Sequence, residues 1–271
     1  MKKIAFHINS LAIGGAERVV TNLAAQFVSE GYEVVIATEW QEENEYVPDK
    51  KVRRVSVGLE KDEEGKGRIS KMLLRFQRLR QFAKKEKPDV LIAFGKKANY
   101  RSLLSTIGMK QKVVVCVRTD PAGHYDGLAE RIQTRMLFPR AAGYVFQTKG
   151  QRDFFPEFAR KKSVIILNPL NPKYIGLPRP EVREKEVVHS GRIVDFKNHE
   201  LLIHAFARVH QKHPDYVLKC YGPDSGDGTW EKAEQCIKEL KAQDYVKLMG
   251  GSDELEKLLP KASVYAFSSD W

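Results

Sequence analysis

Short apolar runs rich in valine and isoleucine alternate along the chain with longer stretches of helical spacing. In the first two thirds of the chain, the apolar runs predict β-strands at 4–8, 33–38, 52–57, 89–94, 113–117, 143–147 and 164–167. The stretches between them predict helices at 16–30, 68–86, 99–108, 128–138 and 150–158. This alternation is typical of parallel βαβ units in a doubly wound sheet.

The segment NPLNPKYIGLPRP, residues 168–180, interrupts this alternation. Its prolines and asparagines suit neither a helix nor a central strand, so it is predicted to link two domains. Beyond it, strands are predicted at 187–190, 216–221, 246–249 and 263–267, and helices at 198–210, 230–242 and 253–259.

We therefore predict an α/β fold of two tandem Rossmann-like domains. The first covers residues 1–168, a hinge covers 169–184, and the second covers 185–271. The second domain is expected to be incomplete, because the chain ends directly after a strand and leaves one face of the sheet partly bare. Ligands of such sheets bind at the carboxyl ends of the strands, here in the cleft between the domains.

The composition is that of an ordinary soluble protein, with 42% hydrophobic residues in a chain of 271. Three separated cysteines, Cys116, Cys220 and Cys236, are predicted to be buried thiols in a reducing compartment. The amino-terminal stretch lacks the continuous apolar core of a signal peptide, and no run approaches the ~20 apolar residues that cross a bilayer. A cytoplasmic protein is expected, with peripheral membrane contact left open.

The net charge of +11 is unevenly distributed. Residues 1–170 carry 31 Lys and Arg against 19 Asp and Glu, whereas residues 171–271 carry 15 against 16. The first part therefore has a net charge of +12 and the second of −1. Such asymmetry indicates an anionic partner: a nucleic acid, a lipid surface or a phosphorylated substrate.

The stretch GRIVDFKNHE, residues 191–200, places Arg192 and Lys197 around a predicted strand-to-helix turn. A helix start offers unpaired N–H groups and the positive end of the helix dipole, and arginine and lysine add charge there. This combination favours a diphosphate site over the alternative, a solvated surface pair.

A glycine turn, NSLAIGGAERVV, follows the first predicted strand. Gly14 and Gly15 allow a ligand to approach the backbone closely, although a plain turn is an equal alternative. The dinucleotide fingerprint GxGxxG is absent, but Glu39 ends the second strand where a ribose-binding acid of an NAD-dependent oxidoreductase would stand. That alternative function stays open.

The chain resembles the retaining glycosyltransferases of family 4. The resemblance rests on GGAERVVTNLA, the NPL hinge, GR followed by KNHELLIHAF, YGPDSGDG, VKLMGG and LLPKASVYAFSSDW, in this order over nearly the whole chain. It implies a GT-B arrangement, a nucleotide-diphosphate sugar as donor, and no obligatory metal ion or other cofactor. UDP-linked N-acetylhexosamines are common donors among such sequences.

The resemblance also implies roles for particular residues. Arg192 and Lys197 are expected to bind the donor diphosphate and to stabilise the leaving group, with Gly14 and Gly15 approaching the phosphates. The nucleoside is expected near Gly222, Val246 and Met249. Electrostatics supports the catalytic role, since negative charge grows on the diphosphate as its bond to the sugar breaks.

Two departures from the family pattern concern catalysis. The family's Glu-x7-Glu motif would follow the last predicted strand, beyond Trp271, so a chain of this length is expected to be truncated and inactive or poorly active. Arg118 stands where many members carry a histidine near the reacting sugar. Arg118, Asp120 and His124 follow the carboxyl end of one predicted strand and Lys96 that of another, so all four are candidates for acceptor or sugar contact, against the alternative of a capped loop.

The predicted helix 68–86 has an apolar face and a basic face. The apolar face carries Ile69, Met72, Leu73, Phe76, Leu79 and Ala83, and the basic face carries Arg68, Lys71, Arg75, Arg78 and Lys85. The basic face is a candidate for anionic lipid or for the pyrophosphate of a polyprenol-linked acceptor, against the alternative of a solvated face.

The prediction is a glycosyltransferase that moves a sugar from a nucleotide donor to a glycan or lipid-linked acceptor with retention of configuration, in surface polysaccharide or glycolipid synthesis. The alternatives are the oxidoreductase and a basic nucleic-acid or anion binder. No nucleic acid is expected as a partner, because aromatic residues do not interleave with the basic stripe.

Overall fold

Two separate parallel β-sheets organise the chain. The computed structural model describes residues 2–178 and 180–270. By its internal contacts the chain divides into a first unit, Met1–Pro169, and a second unit, Leu170–Trp271. The predicted α/β class with two Rossmann-like units is confirmed.

The first unit contains a seven-stranded sheet of order β3-β2-β1-β4-β5-β6-β7, in which every neighbouring pair is parallel. Its strands are β1 (Lys3–Ile8), β2 (Glu33–Thr38), β3 (Arg53–Ser56), β4 (Val90–Phe94), β5 (Val113–Cys116), β6 (Gly143–Phe146) and β7 (Ser163–Ile165). Its helices are α1 (Gly15–Ser29), α2 (Arg68–Glu86), α3 (Lys96–Ser105), α4 (Pro121–Tyr125), α5 (Leu128–Leu137), α6 (Lys149–Phe154) and α7 (Glu157–Lys161).

Both faces of this sheet are buried. Successive residues of a strand point to opposite faces, so Ala5 belongs to one apolar cluster and Phe6 to another. Burial on both faces explains why the strands read as continuous apolar runs rather than as an alternation of apolar and polar residues.

The second unit contains a four-stranded parallel sheet of order β10-β9-β8-β11. Its elements are β8 (Glu184–Ser190), α8 (His199–His210), β9 (Val217–Tyr221), α9 (Thr229–Glu239), β10 (Val246–Gly250), α10 (Leu255–Leu258) and β11 (Ala262–Tyr265). In both sheets the strand order reverses beside the unit's first strand, between β1 and β4 and between β8 and β11. Ligands of such sheets bind at the carboxyl ends of the strands at these reversal points.

Three helix predictions need correction. The predicted helix 150–158 is two short helices, α6 and α7, because Pro156 has no backbone N–H to continue the ladder and caps α7 instead. The predicted helix 99–108 starts earlier, at Lys96, directly after Gly95, whose φ of 90° suits glycine. The short helix α4 was not predicted, although Asp120 and Pro121 form a typical helix start.

The boundaries of the predicted hinge, 169–184, stay a prediction. Within that range the structure describes a 3-10 turn at Pro172–Tyr174 and the first residue of β8, while residue 179 lies outside the described part. The predicted burial of the cysteines is confirmed: Cys116, Cys220 and Cys236 are buried and free thiols.

Candidate active site

The turn after β8 carries the strongest candidate site of the second unit. Strand β8 ends at Ser190, beside the point where the strand order reverses. The chain then runs through Gly191 and Arg192 into a 3-10 turn, Asp195–Lys197, and enters α8 at His199. Asn198 joins the two with a left-handed backbone, φ 56°, which asparagine tolerates better than most residues. The turn therefore brings Arg192 and Lys197 to the carboxyl edge of the sheet.

The two cations of this turn have no acidic partner within ion-pair distance in residues 2–178 and 180–270. Arg192 is exposed, and the half-buried Lys197 holds its ammonium over the rings of Phe196 and Phe267, 5.3 and 5.0 Å from the ring centroids. Burial, followed by the charge of Arg192, lowers the pKa of Lys197. The main charge acting on the lysine is thus another cation, and an anion bound here would relieve that repulsion.

Gly222, at the end of β9, packs against the same turn. A β-carbon at Gly222 would lie 1.8 Å from the carbonyl oxygen of Gly191, which no side chain can accommodate. The Gly222 N–H also donates to the carbonyl of Gly250 at 2.7 Å. Gly222 was predicted as a donor contact; the structure shows that it lets two loops approach closely enough to fix the backbone of Gly191.

The segment after β11 holds the turn from the other side. The Ser268 hydroxyl donates to the carbonyl of Lys197 at 2.8 Å, and the Asp270 N–H donates to the carbonyl of Phe196 at 3.1 Å. The Asp270 carboxylate accepts from the side-chain amide of Asn198 at 3.1 Å. Sequence reasoning gave Asp270 no role, because its partners lie more than seventy residues earlier and no local motif connects them.

Of the other predicted nucleoside contacts, one is exposed and one is not. Met249, near the carboxyl end of β10, is 44% exposed. Val246 begins the same strand at the opposite edge and its side chain lies in the apolar core, so a contact with the nucleoside through the backbone stays a prediction.

The predicted glycine turn lies at the equivalent place in the first unit. Gly14 is the N-cap of α1, after β1, and space above Gly15 is open. A β-carbon on Gly14 would lie 2.4 Å from a carboxylate oxygen of Glu17, so the acid of this first helical turn occupies the space above that glycine. Contact of the two glycines with a donor stays a prediction.

The four acceptor-side candidates of the first unit differ in how far their side chains are engaged. Arg118 donates to the side chain of Asn168 and lies over the ring of Phe94, and burial lowers its pKa. Asp120 caps α4 by accepting from the Gly123 N–H at 3.3 Å.

Lys96 is paired with Glu130 at 3.1 Å. His124 is half-buried on α4. The capped-loop alternative thus describes Asp120, and Lys96 is neutralised within the unit.

Glu39, which kept the oxidoreductase alternative open, is buried. It forms ion pairs with Arg101 and, at 3.4 Å, with Arg75, and lies 3.5 Å from the imidazole of His7. Desolvation opposes its ionisation, but His7 and Arg101 hold the pKa of Glu39 below its usual range. A carboxylate that is 1% exposed and enclosed by these partners is not available to a ribose hydroxyl.

The cations of α2 are mostly engaged within the protein, and contact of this basic face with anionic lipid or an acceptor pyrophosphate stays a prediction. Arg75 pairs with Glu39, Arg78 pairs with Glu60 and Glu63, and the Lys71 ammonium donates to the Glu64 carbonyl. Arg68 and Lys85, at opposite ends of the helix, are exposed.

The predicted apolar face of α2 is buried only in its second half. Leu79 and Ala83 lie in the core, whereas Ile69, Met72 and Leu73 are 71%, 56% and 49% exposed. Helix α5 also carries an exposed apolar stripe, Leu128, Ile132 and Met136, at spacings of four. Leu128 and Ile132 line a cleft of about 440 Å³ between α5 and the segment around Phe154.

No group of three or more His, Cys, Asp or Glu side chains in the described ranges is arranged to hold a metal ion. Nor does any helix in those ranges combine the length and apolar character needed to span a bilayer.

Comparison with known proteins matches both units to glycosyltransferase families. A model of Glycosyltransferase Family 4 matches residues 13–174, and a model of Glycosyl transferases group 1 matches residues 178–271.

Two curated relatives come from Campylobacter jejuni. One is N-acetylgalactosamine-N,N'-diacetylbacillosaminyl-diphospho-undecaprenol 4-alpha-N-acetylgalactosaminyltransferase, 26% identical over 99% of this chain and 75% of the relative. The other is the α-1,4-N-acetyl-D-galactosaminyltransferase that acts on GalNAc-alpha-(1->4)-GalNAc-alpha-(1->3)-diNAcBac-PP-undecaprenol, 25% identical over 99% of this chain and 73% of the relative.

Solved structures share the fold. Anabaena HepE in complex with UDP and glucose superposes with a TM-score of 0.75 at 16% identity, over 99% of this chain and 74% of HepE. Sucrose-phosphate synthase from Thermosynechococcus elongatus gives a TM-score of 0.75 at 14% identity, over 100% of this chain and 76% of the synthase. These similarities confirm the predicted fold class.

Proposed function

The chain belongs to Glycosyltransferase Family 4, and from that premise we propose that it transfers an N-acetylhexosamine from a UDP-sugar to a hydroxyl of a lipid-linked glycan. That it is a hexosyltransferase follows from the family and the relatives. The donor, the acceptor and retention of the anomeric configuration are the proposed refinements.

In the proposed reaction the bond between the anomeric carbon and the diphosphate oxygen breaks, and the acceptor oxygen bonds to that carbon. The proton of the acceptor hydroxyl passes to the departing diphosphate, so the products are the glycoside and UDP. Negative charge accumulates on the diphosphate as the bond breaks, and cations fixed beside it stabilise that charge more in the transition state than in the ground state.

The observation that carries the proposal is the absence of acidic partners around Arg192 and Lys197 within the described residues. Both lie after the central strand β8, where the strand order reverses. The guanidinium offers a forked pair of donors and the ammonium a point charge, which together suit two linked phosphates. We propose that these two cations act without a metal ion.

The names of the relatives support the choice of donor and acceptor. Both Campylobacter jejuni proteins are named as N-acetylgalactosaminyltransferases, and their names specify diphospho- or PP-undecaprenol-linked acceptors. We therefore propose UDP-N-acetylgalactosamine as the first donor to examine and a polyprenyl-diphosphate glycan as the acceptor class.

Such an acceptor is held in a membrane, and the first unit has a surface suited to one. Helices α2 and α5 each connect two parallel strands, so their first turns lie at the carboxyl edge of the sheet. There Ile69, Met72 and Leu128 are exposed. The exposed Arg68 precedes Ile69, and Arg131, which pairs with Asp126 at 2.6 Å, follows Leu128 by one turn. We propose that this mixed surface lies on anionic lipid, with apolar side chains in the interface and cations at the headgroups.

Calorimetric titration with UDP-N-acetylgalactosamine tests the donor site. Arg192→Ala and Lys197→Ala are each expected to weaken binding by about tenfold or more, the scale of a lost charged hydrogen bond. Arg208→Ala and Lys212→Ala, exposed cations at the far end of α8, are the matched controls and should bind as the unaltered protein does. Unchanged affinity in the first two variants contradicts the proposed site.

Further measurements test the remaining parts of the proposal. Saturable binding of NADH in place of the UDP-sugar would favour the oxidoreductase. Release of UDP that depends on a polyprenyl-diphosphate glycan tests the acceptor, and the anomeric coupling constant of the product tests retention.

Vesicles with and without anionic lipid test the membrane surface. Equal recruitment of the protein to both kinds of vesicle would argue against that surface.

A further inference from the structure

Two histidines are buried directly under the turn that carries Arg192 and Lys197. His189 belongs to β8 and His199 is the first residue of α8, and their rings meet edge to face with centroids 4.8 Å apart. Their exposed fractions are 0% and 1%. Neither has a part in the proposed function, and neither was singled out by sequence reasoning.

The hydrogen bonds of His189 define its tautomer. Its Nδ1 lies 3.0 Å from the carbonyl oxygen of Ala266, which can only accept, so Nδ1 carries the proton and Nε2 presents a lone pair. That Nε2 is buried without a hydrogen-bond partner in the described residues, as are both ring nitrogens of His199. Buried polar atoms without partners are rare, and each calls for a physical explanation.

The unpartnered Nε2 faces the candidate phosphate site. It lies 3.6 Å from the position that a β-carbon on Gly191 would occupy, and the Cε atom of Lys197 lies 3.6 Å from the same position. The imidazole and the lysine thus flank the space that glycine leaves open at this turn. Gly191 is partly exposed, so this space borders the surface of the unit.

The charged groups around the pair are mainly cationic. The 3-10 turn contributes Lys197, which depresses protonation of both imidazoles, and Arg192, before that turn, lowers the pKa of Lys197. Burial is the largest cause, and with the neighbouring His189 and Lys197 it lowers the pKa of His199 to about 4.

The remaining neighbours of the pair add little charge. Strand β9 places Cys220 opposite His189, and burial raises the pKa of that thiol to about 12, so it is neutral. After β11 come the Ala266 carbonyl and the ring of Phe267. The acid of that segment, Asp270, is bound to the amide of Asn198. Without a ligand, both histidines are therefore neutral near pH 7.

We propose that His189 and His199 form a proton-accepting pair, which takes up a proton from solvent when a nucleoside diphosphate binds at Arg192 and Lys197. The inference rests on the proposed function and deepens it. The bound diphosphate reverses the sign of the local potential, which favours an imidazolium beneath it. A third positive charge then supports the leaving group and is lost again when UDP departs.

This arrangement provides positive charge when the anion is bound and avoids repulsion between cations when it is not. Three permanent cations would repel one another in the empty protein, whereas a titratable pair becomes positive only when the anion is present. The free Nε2 of His189 supplies the place for the incoming proton without breaking the existing hydrogen bond to Ala266. The unpartnered nitrogens thereby receive an explanation.

Calorimetry in buffers of different ionisation enthalpy measures the uptake. UDP-N-acetylgalactosamine is the probe, because both of its phosphates are esterified and neither titrates near neutrality. We expect uptake approaching about one proton per bound ligand near pH 6, and affinity that tightens by up to about tenfold for each unit fall in pH. Binding without proton uptake overturns this inference alone, whereas absence of binding overturns the donor assignment as well.

Variants assign the proton to the pair. In His189→Asn the side-chain amide N–H can donate to Ala266 as Nδ1–H does, but it cannot titrate. The double variant with His199→Asn is expected to lose the uptake. His210→Asn is the control, since His210 in the same unit also bonds a backbone carbonyl, that of Tyr216. Uptake that persists in the double variant overturns the inference.

Nitrogen-15 spectra of the unaltered protein give a second measurement that does not depend on folding of a variant. On addition of the UDP-sugar at pH 6, two imidazole signals should move from the neutral to the cationic or exchange-averaged position. Histidine signals that all stay at their ligand-free positions would contradict proton uptake.

Discussion

The cations of the two units differ in what surrounds them. The first unit carries the whole positive excess of the chain, yet Arg75, Arg101 and Lys96 are each paired with a carboxylate of that unit. The second unit is almost neutral, yet Arg192 and Lys197 have no acid within ion-pair distance among the described residues. Net charge thus does not locate an anion site, because pairing decides which charges remain available to a ligand.

The difference also separates stability from binding. A buried carboxylate such as Glu39 depends on its cations, and removal of one leaves desolvated charge behind. Arg192 and Lys197 repel each other and have no acidic partner among the described residues, so no ion pair of theirs stabilises the folded state. Substitutions in the two units should therefore affect different measurements.

The largest expected effect is steric and concerns Gly222, which packs against the turn that carries Arg192 and Lys197. Gly222→Val places a side chain against the carbonyl of Gly191, where even a β-carbon would be 1.8 Å away. We expect a loss of about 4 kcal/mol in the free energy of unfolding and no measurable donor binding. Urea denaturation and calorimetry measure the two effects. Gly251→Ala, whose β-carbon would meet only Pro223 at 4.0 Å, is the control and should be near neutral.

As the pH falls, the second unit should lose stability before the first. The folded-state pKa of His199, about 4, lies below the usual value near 6.5, so the unfolded chain binds the proton more tightly. Stability is complete above pH 6.5 and declines by up to about 3 kcal/mol as the pH falls to 4.

The acids of the first unit behave differently under the same titration. Salt bridges lower the pKa of Glu39 and Glu86, so their contribution is lost only as the pH falls below their unfolded values near 4.5. Hydrogen exchange between pH 6.5 and 5 should therefore show faster opening in the second unit alone. Equal weakening of both units over that interval would contradict the assignment to His199.

Removal of a paired cation in the first unit should affect stability but not donor affinity. Arg101→Met leaves Glu39 with Arg75 and His7, so the loss is expected to be about 2 to 3 kcal/mol, somewhat below that of a fully broken buried pair. Binding of UDP-N-acetylgalactosamine should be unchanged. A fall in affinity without destabilisation would instead give Arg101 a place in ligand binding.

Removal of an unpaired cation in the second unit should lower donor affinity but not stability. Lys197→Met keeps much of the apolar contact with Phe196 and Phe267 but removes the charge that opposes Arg192. We expect affinity to fall by about 10- to 100-fold, equivalent to about 1.5 to 3 kcal/mol, while stability is unchanged or slightly higher. Lys212→Met is the control. If Lys197→Met instead lowers stability and leaves donor affinity normal, Lys197 stabilises the fold and does not bind the donor.

The smallest expected effect is that of a chelator. If Arg192 and Lys197 replace a metal ion at the diphosphate, EDTA should leave both donor affinity and turnover unchanged. A loss that Mg²⁺ or Mn²⁺ restores would show that the two cations are insufficient.

Local patterns in the sequence predicted the fold well. The bounds of β2 and α2 match the prediction, because the apolar spacing of 33–38 and 68–86 is uninterrupted and Pro88 follows closely after α2. The split at Pro156 was missed because apolar spacing continues across it. The apolar spacing of α2 did not indicate which part of the stripe is buried. At the start of the helix, Ile69 and Met72 are exposed.

The pairing of charges could not be predicted from the same patterns. Lys96 and Glu130, or Glu39 and Arg101, lie tens of residues apart, and only the order of strands brings them together. The turn at Arg192 was identified because a strand end, a glycine and two cations are adjacent in sequence. The buried His189 and His199 were missed because one lies within an apolar strand and the other at a helix start, and neither position signals a functional role for histidine.

The hydrogen bonds from Ser268 and Asp270 to the Lys197 turn also have a consequence for how the protein matures. They connect the first loop of the second unit to a segment translated about seventy residues later. A nascent chain that has emerged only as far as β9 lacks these two hydrogen bonds. The turn can therefore take its final shape only after the segment around Ser268 has been translated.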